Sequence, residues 1–145
     1  MSEENKALAR RYMDEVFNKG NMGFIDGALA SNYVVHDPNS PEETSSGPEG
    51  AKRFVEMYRN AFPDLKLTVE DLIAEGDMVV TRWTARGTHQ GDLMGIPPSG
   101  NRVKVTGISI DRIEGGRIEE SWSSYDALGL MQQTGAVSSA EQVQA

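Results

Sequence analysis

Gly116-Arg117-Ile118-Glu119-Glu120-Ser121-Trp122-Ser123-Ser124-Tyr125-Asp126-Ala127-Leu128-Gly129-Leu130-Met131-Gln132-Gln133-Thr134-Gly135 decides how this chain is read. Its first half alternates in the manner of a half-exposed strand. Its second half, from Asp126, predicts a short terminal helix closed by Gly135. The residues upstream then supply what such a strand and helix have to pack against.

Immediately before it, residues 102–113 read as a strand that turns at Glu114-Gly115-Gly116. Residues 65–74 and 78–88 form another hairpin around Glu75-Gly76-Asp77. Between the hairpins, residues 90–101 hold Gly91, Gly95, Pro97, Pro98 and Gly100 and read as a loop. The N-terminal part is helical. Ser2 can cap a first helix, with Leu8, Tyr12, Met13, Val16 and Phe17 at helical spacing and a stop at Lys19-Gly20. Asn21 can cap a second helix carrying Phe24, Ile25, Ala28 and Leu29. Tyr33-Val34-Val35-His36-Asp37 is a short β-prone run cut by Pro38, and residues 38–47 form a loop. A third helix begins near Pro48, buries Phe54, Val55, Tyr58 and Phe62, and ends at Pro63. Three helices before a four-strand antiparallel meander, with one short extra strand and a closing helix, is an α+β plan. Residues 1–135 make one domain, and residues 136–145 are a small, polar tail that frays or lies on a neighbour.

Composition narrows the function classes. The 145 residues suffice for one domain with a real core. The absence of cysteine excludes disulfides and thiolate metal sites. A net charge of −8, with no Lys/Arg run, disfavours nucleic acid. No apolar run is long enough to span a membrane, and the polar, acidic start is unlike a signal peptide. The expectation is a cytoplasmic protein. No His/Asp/Glu spacing suggests a metal site, and the Gly-rich loop lacks the lysine and helix of a phosphate loop.

Alternation also sorts the sheet faces. Gly107 and Ser109, Ser121 and Ser123, and Thr81, Trp83 and Ala85 each share a face on their strands. Aligned, these sets give a face of small side chains around one large aromatic. Against helices, small groups leave volume, and volume suggests a ligand pocket. The opposite face carries Ile108, Ile110 and Trp122 beside Arg82 and Glu120, and predicts a homodimer interface with an Arg–Glu cross-strand pair. A β-bulge would exchange the two roles.

Several segments together resemble the SnoaL-like polyketide cyclases of the nuclear-transport-factor-2-like superfamily. They are Tyr33-Val34-Val35-His36-Asp37, Gly47-Pro48, Gly87-Thr88-His89-Gln90-Gly91, Met94-Gly95-Ile96-Pro97-Pro98-Ser99-Gly100, Gly116-Arg117-Ile118 and residues 126–135. The resemblance spans roughly residues 5–135. It implies a cone in which helices fill a curled sheet and a cavity opens at one end. It also implies ring closure by intramolecular aldol condensation without metal or cofactor. In such cyclases an aspartate on the last strand is the acid–base group, helped by a histidine on the preceding strand. Those positions fall on Ser123 and Ser109 here, and a serine does not take up a proton in the same way near neutral pH.

Other residues are therefore candidates for the chemistry. His36 is the natural base by pKa, or else a histidine bonded to backbone at a strand end. Asp126 either caps the closing helix or serves as a carboxylate base at the cavity mouth. His89 reads as an exposed loop histidine or one lining the cavity mouth, Asp111, which shares the parity of Ser109 but lies toward the hairpin end, as a solvated residue, and Asp37 as a turn-former. Tyr33, Tyr58, Phe62, Trp83 and Tyr125 serve as core or as ligand contacts, with the Ser109 and Ser123 hydroxyls beside them. Leu93, Met94 and Ile96 suit a lid over the pocket or a dimer contact. Three functions stay open: an enzyme acting by acid–base chemistry on a small, largely apolar carbonyl compound, a binding protein that uses the same cavity, and, least favoured by the small-residue face, an interaction module that uses only the sheet face.

Overall fold

The computed structural model describes residues 2–39 and 46–137. Much of the expected loop at 38–47 and most of the tail at 136–145 lie outside the described residues. Helix α1 (Ser2–Tyr12) continues into a wider π-helical turn at Met13–Asn18. Lys19 N there donates to Asp14 O at 3.0 Å, and Gly20, at φ +71°, ends the segment as expected. Helix α2 (Met22–Ala28) follows. Its expected cap, Asn21, makes no side-chain capping bond and donates to Glu15 instead.

Strand β1 (Leu29–His36) starts at a residue expected in the second helix, and Leu29 and Ala30 are buried at once. Helix α3 (Gly47–Ala61) carries its proline in the first turn, where no backbone N–H is lost. Then come β2 (Lys66–Glu75), β3 (Met78–Thr88), β4 (Arg102–Glu114), β5 (Arg117–Tyr125) and α4 (Ala127–Gln133).

The five strands form one curled, open sheet in the order β1-β5-β4-β3-β2, with β1 parallel to β5 and the other pairs antiparallel. Register shifts interrupt β1/β5, β2/β3 and β4/β5. Such bulges bend a sheet locally and add twist, which suits a sheet that curls around helices. None of them reverses the face assignment at the pocket, because Thr81, Ser109 and Ser123 stand opposite one another in turn, as do Trp83, Gly107 and Tyr125.

The core is built at both ends of the concave face. At the hairpin end, Ala9, Val16, Ile25 and Val55 from the helices meet Val79, Ile113 and Ile118 from the sheet. At the other end, Phe62, Leu93, Val103, Val105 and Leu130 pack together. Each fully buried Val or Ile contributes about 1.5–3 kcal/mol. Between the two, Met13, Leu67 and Trp83 form a smaller group, and the pocket lies beside it. No helix among the described residues is long and apolar enough to cross a membrane.

Candidate functional site

The pocket is set by what β4 leaves out. Gly107 has no side chain, and the Trp83 indole occupies the space over it. A Cβ at residue 107 would sit 2.3 Å from Trp83 Cζ2. The indole N–H donates to Ser109 Oγ at 3.0 Å, and Ser109 Oγ lies 3.2 Å from Ser123 Oγ. The small residues thus seat a tryptophan and tie down its polar edge. The space left is about 100 Å³, less than their sizes alone suggest. That is close to a cavity that accepts a benzene-sized molecule, and well below a drug-sized site.

The remaining wall is apolar, with Phe17, Phe54 and Phe62 from the helical side and Leu67, Val105 and Leu130 around them. Its main polar feature is a pair of phenols. Tyr58 Oη on α3 lies 2.8 Å from Tyr125 Oη at the end of β5, with the two rings edge to face. Burial raises the Tyr125 pKa, and the bond to Tyr58 partly offsets it. Tyr125 stays protonated near neutral pH, and the two hydroxyls serve as hydrogen-bond donors or acceptors. Arg86 is the charged residue of the wall, which holds no carboxylate and no imidazole among the described residues.

The structure brings Tyr58, Phe62, Trp83, Ser109, Ser123 and Tyr125 together around this pocket. It places the other candidates elsewhere. Tyr33 is buried in the hairpin-end core. Met94 is exposed, at φ +47°, in the loop before β4. His36 stands on the opposite, outer face. Its Nε2 is 2.6 Å from Glu120 Oε2, and its ring stacks on Trp122 at 5.4 Å. That contact is the main reason the Glu120 pKa is lowered. Asp126 is exposed, and its Oδ1 accepts the Gly129 N–H at 2.9 Å, so it caps α4.

The outer face carries Ile108, Ile110 and Trp122, which line an open groove with His36. The expected Arg82–Glu120 pair is not formed. Arg82 binds Asp71 at 2.6 Å, and Glu120 meets Arg112 at 3.4 Å, because the register sets Arg82 opposite Ile108 and Arg112 opposite Glu120.

Two residues expected in solvent are buried. His89 is fully enclosed and lies against Phe62. Its Nδ1 accepts the Ser99 N–H at 3.2 Å and is 3.0 Å from Ser99 Oγ. The imidazole proton therefore sits on Nε2, which has no partner among the described residues. The loop folds back on this ring, and that return is what removes it from water. Asp111 is only 7% exposed. It follows Ser109 by two residues, shares its inward face, and pairs with Ser121, whose hydroxyl donates to Asp111 Oδ1 at 2.5 Å. Burial raises its pKa to about 6, with the Ser121 bond pulling the other way. Burial raises the pKa of the Tyr33 and Tyr12 phenols, and the charge of Asp111 adds to it, so a polar cluster extends the pocket's face toward the hairpin end. Its sequence signal was parity: a carboxyl at the inward position of a strand whose other inward residues are Val103, Val105, Gly107, Ser109 and Ile113.

The comparisons agree with this geometry. The model of the family described as SnoaL-like polyketide cyclase matches residues 7–134. No curated protein sequence matches the chain. Among solved structures, a candidate polyketide cyclase from Acidithiobacillus ferrooxidans is 33% identical, with a TM-score of 0.83 over 94% of this chain and 97% of that one. TsrD from Streptomyces laurentii is 34% identical, with a TM-score of 0.78 over 90% and 97%. AclR from Streptomyces galilaeus, a candidate hydroxylase, is 27% identical, with a TM-score of 0.83 over 99% and 88%. With the helix-filled, curled sheet and the pocket between them, a family match over nearly the whole described chain places this protein in the SnoaL-like polyketide cyclase family.

Proposed function

We propose that the chain is an enzyme that binds a small, largely apolar carbonyl compound in the inner pocket and moves a proton next to the carbonyl. The reaction is an aldol-type cyclisation or a related isomerase, lyase or hydrolase step. One observation carries this reading: the Tyr58–Tyr125 hydroxyl pair, 2.8 Å apart, in an otherwise apolar wall. Proton abstraction beside a carbonyl needs a donor for the enolate oxygen, and a phenol in a dry pocket is such a donor. In this reading Asp111 holds the proton. It lies one pleat step beyond Ser109 on the pocket's face, and its pKa of about 6 suits a base working near neutrality. The Ser109–Ser123 pair, which lines the pocket, is the next inward-facing pair of β4 and β5 toward it. Outside the pocket, we infer that the face bearing Ile108, Ile110 and Trp122 pairs with a second copy of the chain.

The second reading is a binding protein without catalysis. It is favoured by the absence of a carboxylate or imidazole from the pocket wall among the described residues. Exchange of the methyl protons of acetophenone into heavy water separates the two. Catalysed exchange that Asp111→Asn abolishes, with binding retained, supports the enzyme. Binding with no exchange above background leaves the binding-protein reading. Exchange lost in His36→Gln but kept in Asp111→Asn would move the chemistry to the outer face.

A further inference from the structure

The end of the sheet beside the pocket carries charge that the pocket chemistry does not use. Lys66 on β2 stands opposite Arg86 on β3, and Arg86 opposite Lys104 on β4, so three cations lie side by side across three strands. Arg102 stands nearby on β4, opposite Thr88. All four side chains belong to exposed residues. Adjacent strands are ~4.8 Å apart, well within the ~8 Å Debye length of physiological salt. Like charges placed directly opposite on a sheet are destabilising. Composition does not force the arrangement, because the chain has 14 basic residues against 22 acidic ones.

Their own carboxylates do not neutralise them. None of the four takes part in an ion pair among the described residues. The acid that shares their groove, Asp64, is held by Thr88, accepting its N–H at 2.7 Å and its hydroxyl at 2.8 Å. Those bonds are the first cause of its lowered pKa, and the field of Arg102 is a minor one. Asp14 feels Lys66 only weakly, behind Asn18 and Lys19. The groove is fixed on both sides. Asp64 pins β3 to the turn after α3, and Gln133 of α4 clamps the Lys104 main chain, accepting its N–H at 2.7 Å and donating to its carbonyl at 3.0 Å. The groove holds about 380 Å³ and shares Arg86, Gly87 and Val103 with the apolar pocket.

We propose that Lys66, Arg86, Lys104 and Arg102 form an oxyanion-binding site at the rim of the pocket, which takes the phosphate or carboxylate group of an otherwise apolar ligand. An anion there offsets the repulsion along the row and gains charge-assisted bonds, with Arg86 able to engage two oxygens at once. The apolar body of the ligand rests on the pocket reading; the anion site does not.

A repulsive row that awaits an anion has its own signature. Without ligand, Arg86→Gln relieves repulsion, so its melting temperature in chloride equals or exceeds that of the wild type. With ligand, the same change weakens binding by about tenfold or more, the loss of a bond to a charged group. Melting curves and calorimetry at constant ionic strength, with chloride as the balancing ion, test both parts. The probes are inorganic phosphate, phenyl phosphate, benzoate and neutral acetophenone. We expect phosphate or benzoate to raise the wild-type melting temperature, and Arg86→Gln combined with Lys104→Gln to lose that response. A larger response to phenyl phosphate assigns the site to phosphates, and a larger response to benzoate assigns it to carboxylates. Anion binding without acetophenone binding keeps the oxyanion site and removes the pocket reading. If no anion shifts the wild type beyond matched chloride, or the double variant responds equally, the proposal is overturned.

Discussion

Replacing Asp111 with asparagine should stabilise the protein, and only above a definite pH. The carboxyl is 7% exposed, and burial raises its pKa from 3.8 to about 6. The shift is upward, opposite to that of a paired surface carboxylate. Below about pH 4 the group is neutral in both the folded and unfolded states and has no effect on stability. From about pH 4 to 6 the unfolded chain ionises first, so the folded state loses stability as pH rises. Above about pH 6 both states are ionised and the loss is constant. Two pH units at ~1.4 kcal/mol each make that loss about 3 kcal/mol. An asparagine cannot ionise, and its amide oxygen still accepts the Ser121 hydroxyl. Its two new N–H donors face Ser121, Tyr33 and Tyr12 and recover only part of their hydration, so the net gain is about 1–3 kcal/mol. Urea unfolding of wild type and Asp111→Asn across this range measures it. The difference between the two should be zero or slightly unfavourable to the variant at about pH 3.5, where only the amide's incomplete hydration counts, and should rise by about 3 kcal/mol in the variant's favour by about pH 7, since other titrating groups cancel. A constant difference at every pH, or a variant less stable near pH 8 than near pH 3.5 relative to wild type, refutes the buried, neutral-preferring carboxyl.

Asp126→Asn should lower stability by no more than about 1 kcal/mol, because asparagine also caps helices, while Asp126→Ala should cost about 1 kcal/mol; neither should alter ligand affinity in calorimetry. Trp122→Asp places a charge on the outer face beside Ile108, which is 48% exposed, and removes the stack on His36. Light scattering should show a wild-type dimer and a variant of half its mass, and a monomeric wild type would end the dimer proposal. Gly107→Ala forces Trp83 from its seat and should cost about 1–3 kcal/mol by overpacking; unchanged tryptophan fluorescence and stability would contradict the seat.

The face assignment was legible because period-two alternation is local. Gly107 and Ser109 announce a gap on one side of β4 whatever surrounds them. The filling of that gap was not, since only the paired register sets Trp83 over Gly107. Tyr58 and Tyr125 were each visible as amphipathic aromatics, but their meeting joins residues 67 apart in sequence and depends on how α3 lies on the sheet. Asp111 was misread because a hairpin end usually reaches water. Here it lies buried with Ser121 and beside Tyr33 and Tyr12, and its inward parity was the better signal. His89 was misread for a similar reason, since a Gly/Pro-rich loop implies exposure and this one closes over the ring through Ser99. The cation row is invisible along the chain, where Lys66, Arg86 and Lys104 lie far apart, and becomes plain once β2, β3 and β4 are in register.

Whether the tyrosine pair grips a carbonyl inside the pocket is read from the infrared carbonyl stretch of carbon-13-labelled acetophenone bound to the protein. A carbonyl that accepts a hydrogen bond from Tyr58 or Tyr125 absorbs at lower frequency than in an apolar solvent. We expect that downshift in the wild type and its loss in the double variant Tyr58→Phe, Tyr125→Phe, with the ketone still bound. A bound ketone that absorbs as in hydrocarbon, or a downshift that survives removal of both hydroxyls, would rule out a carbonyl held by the pair.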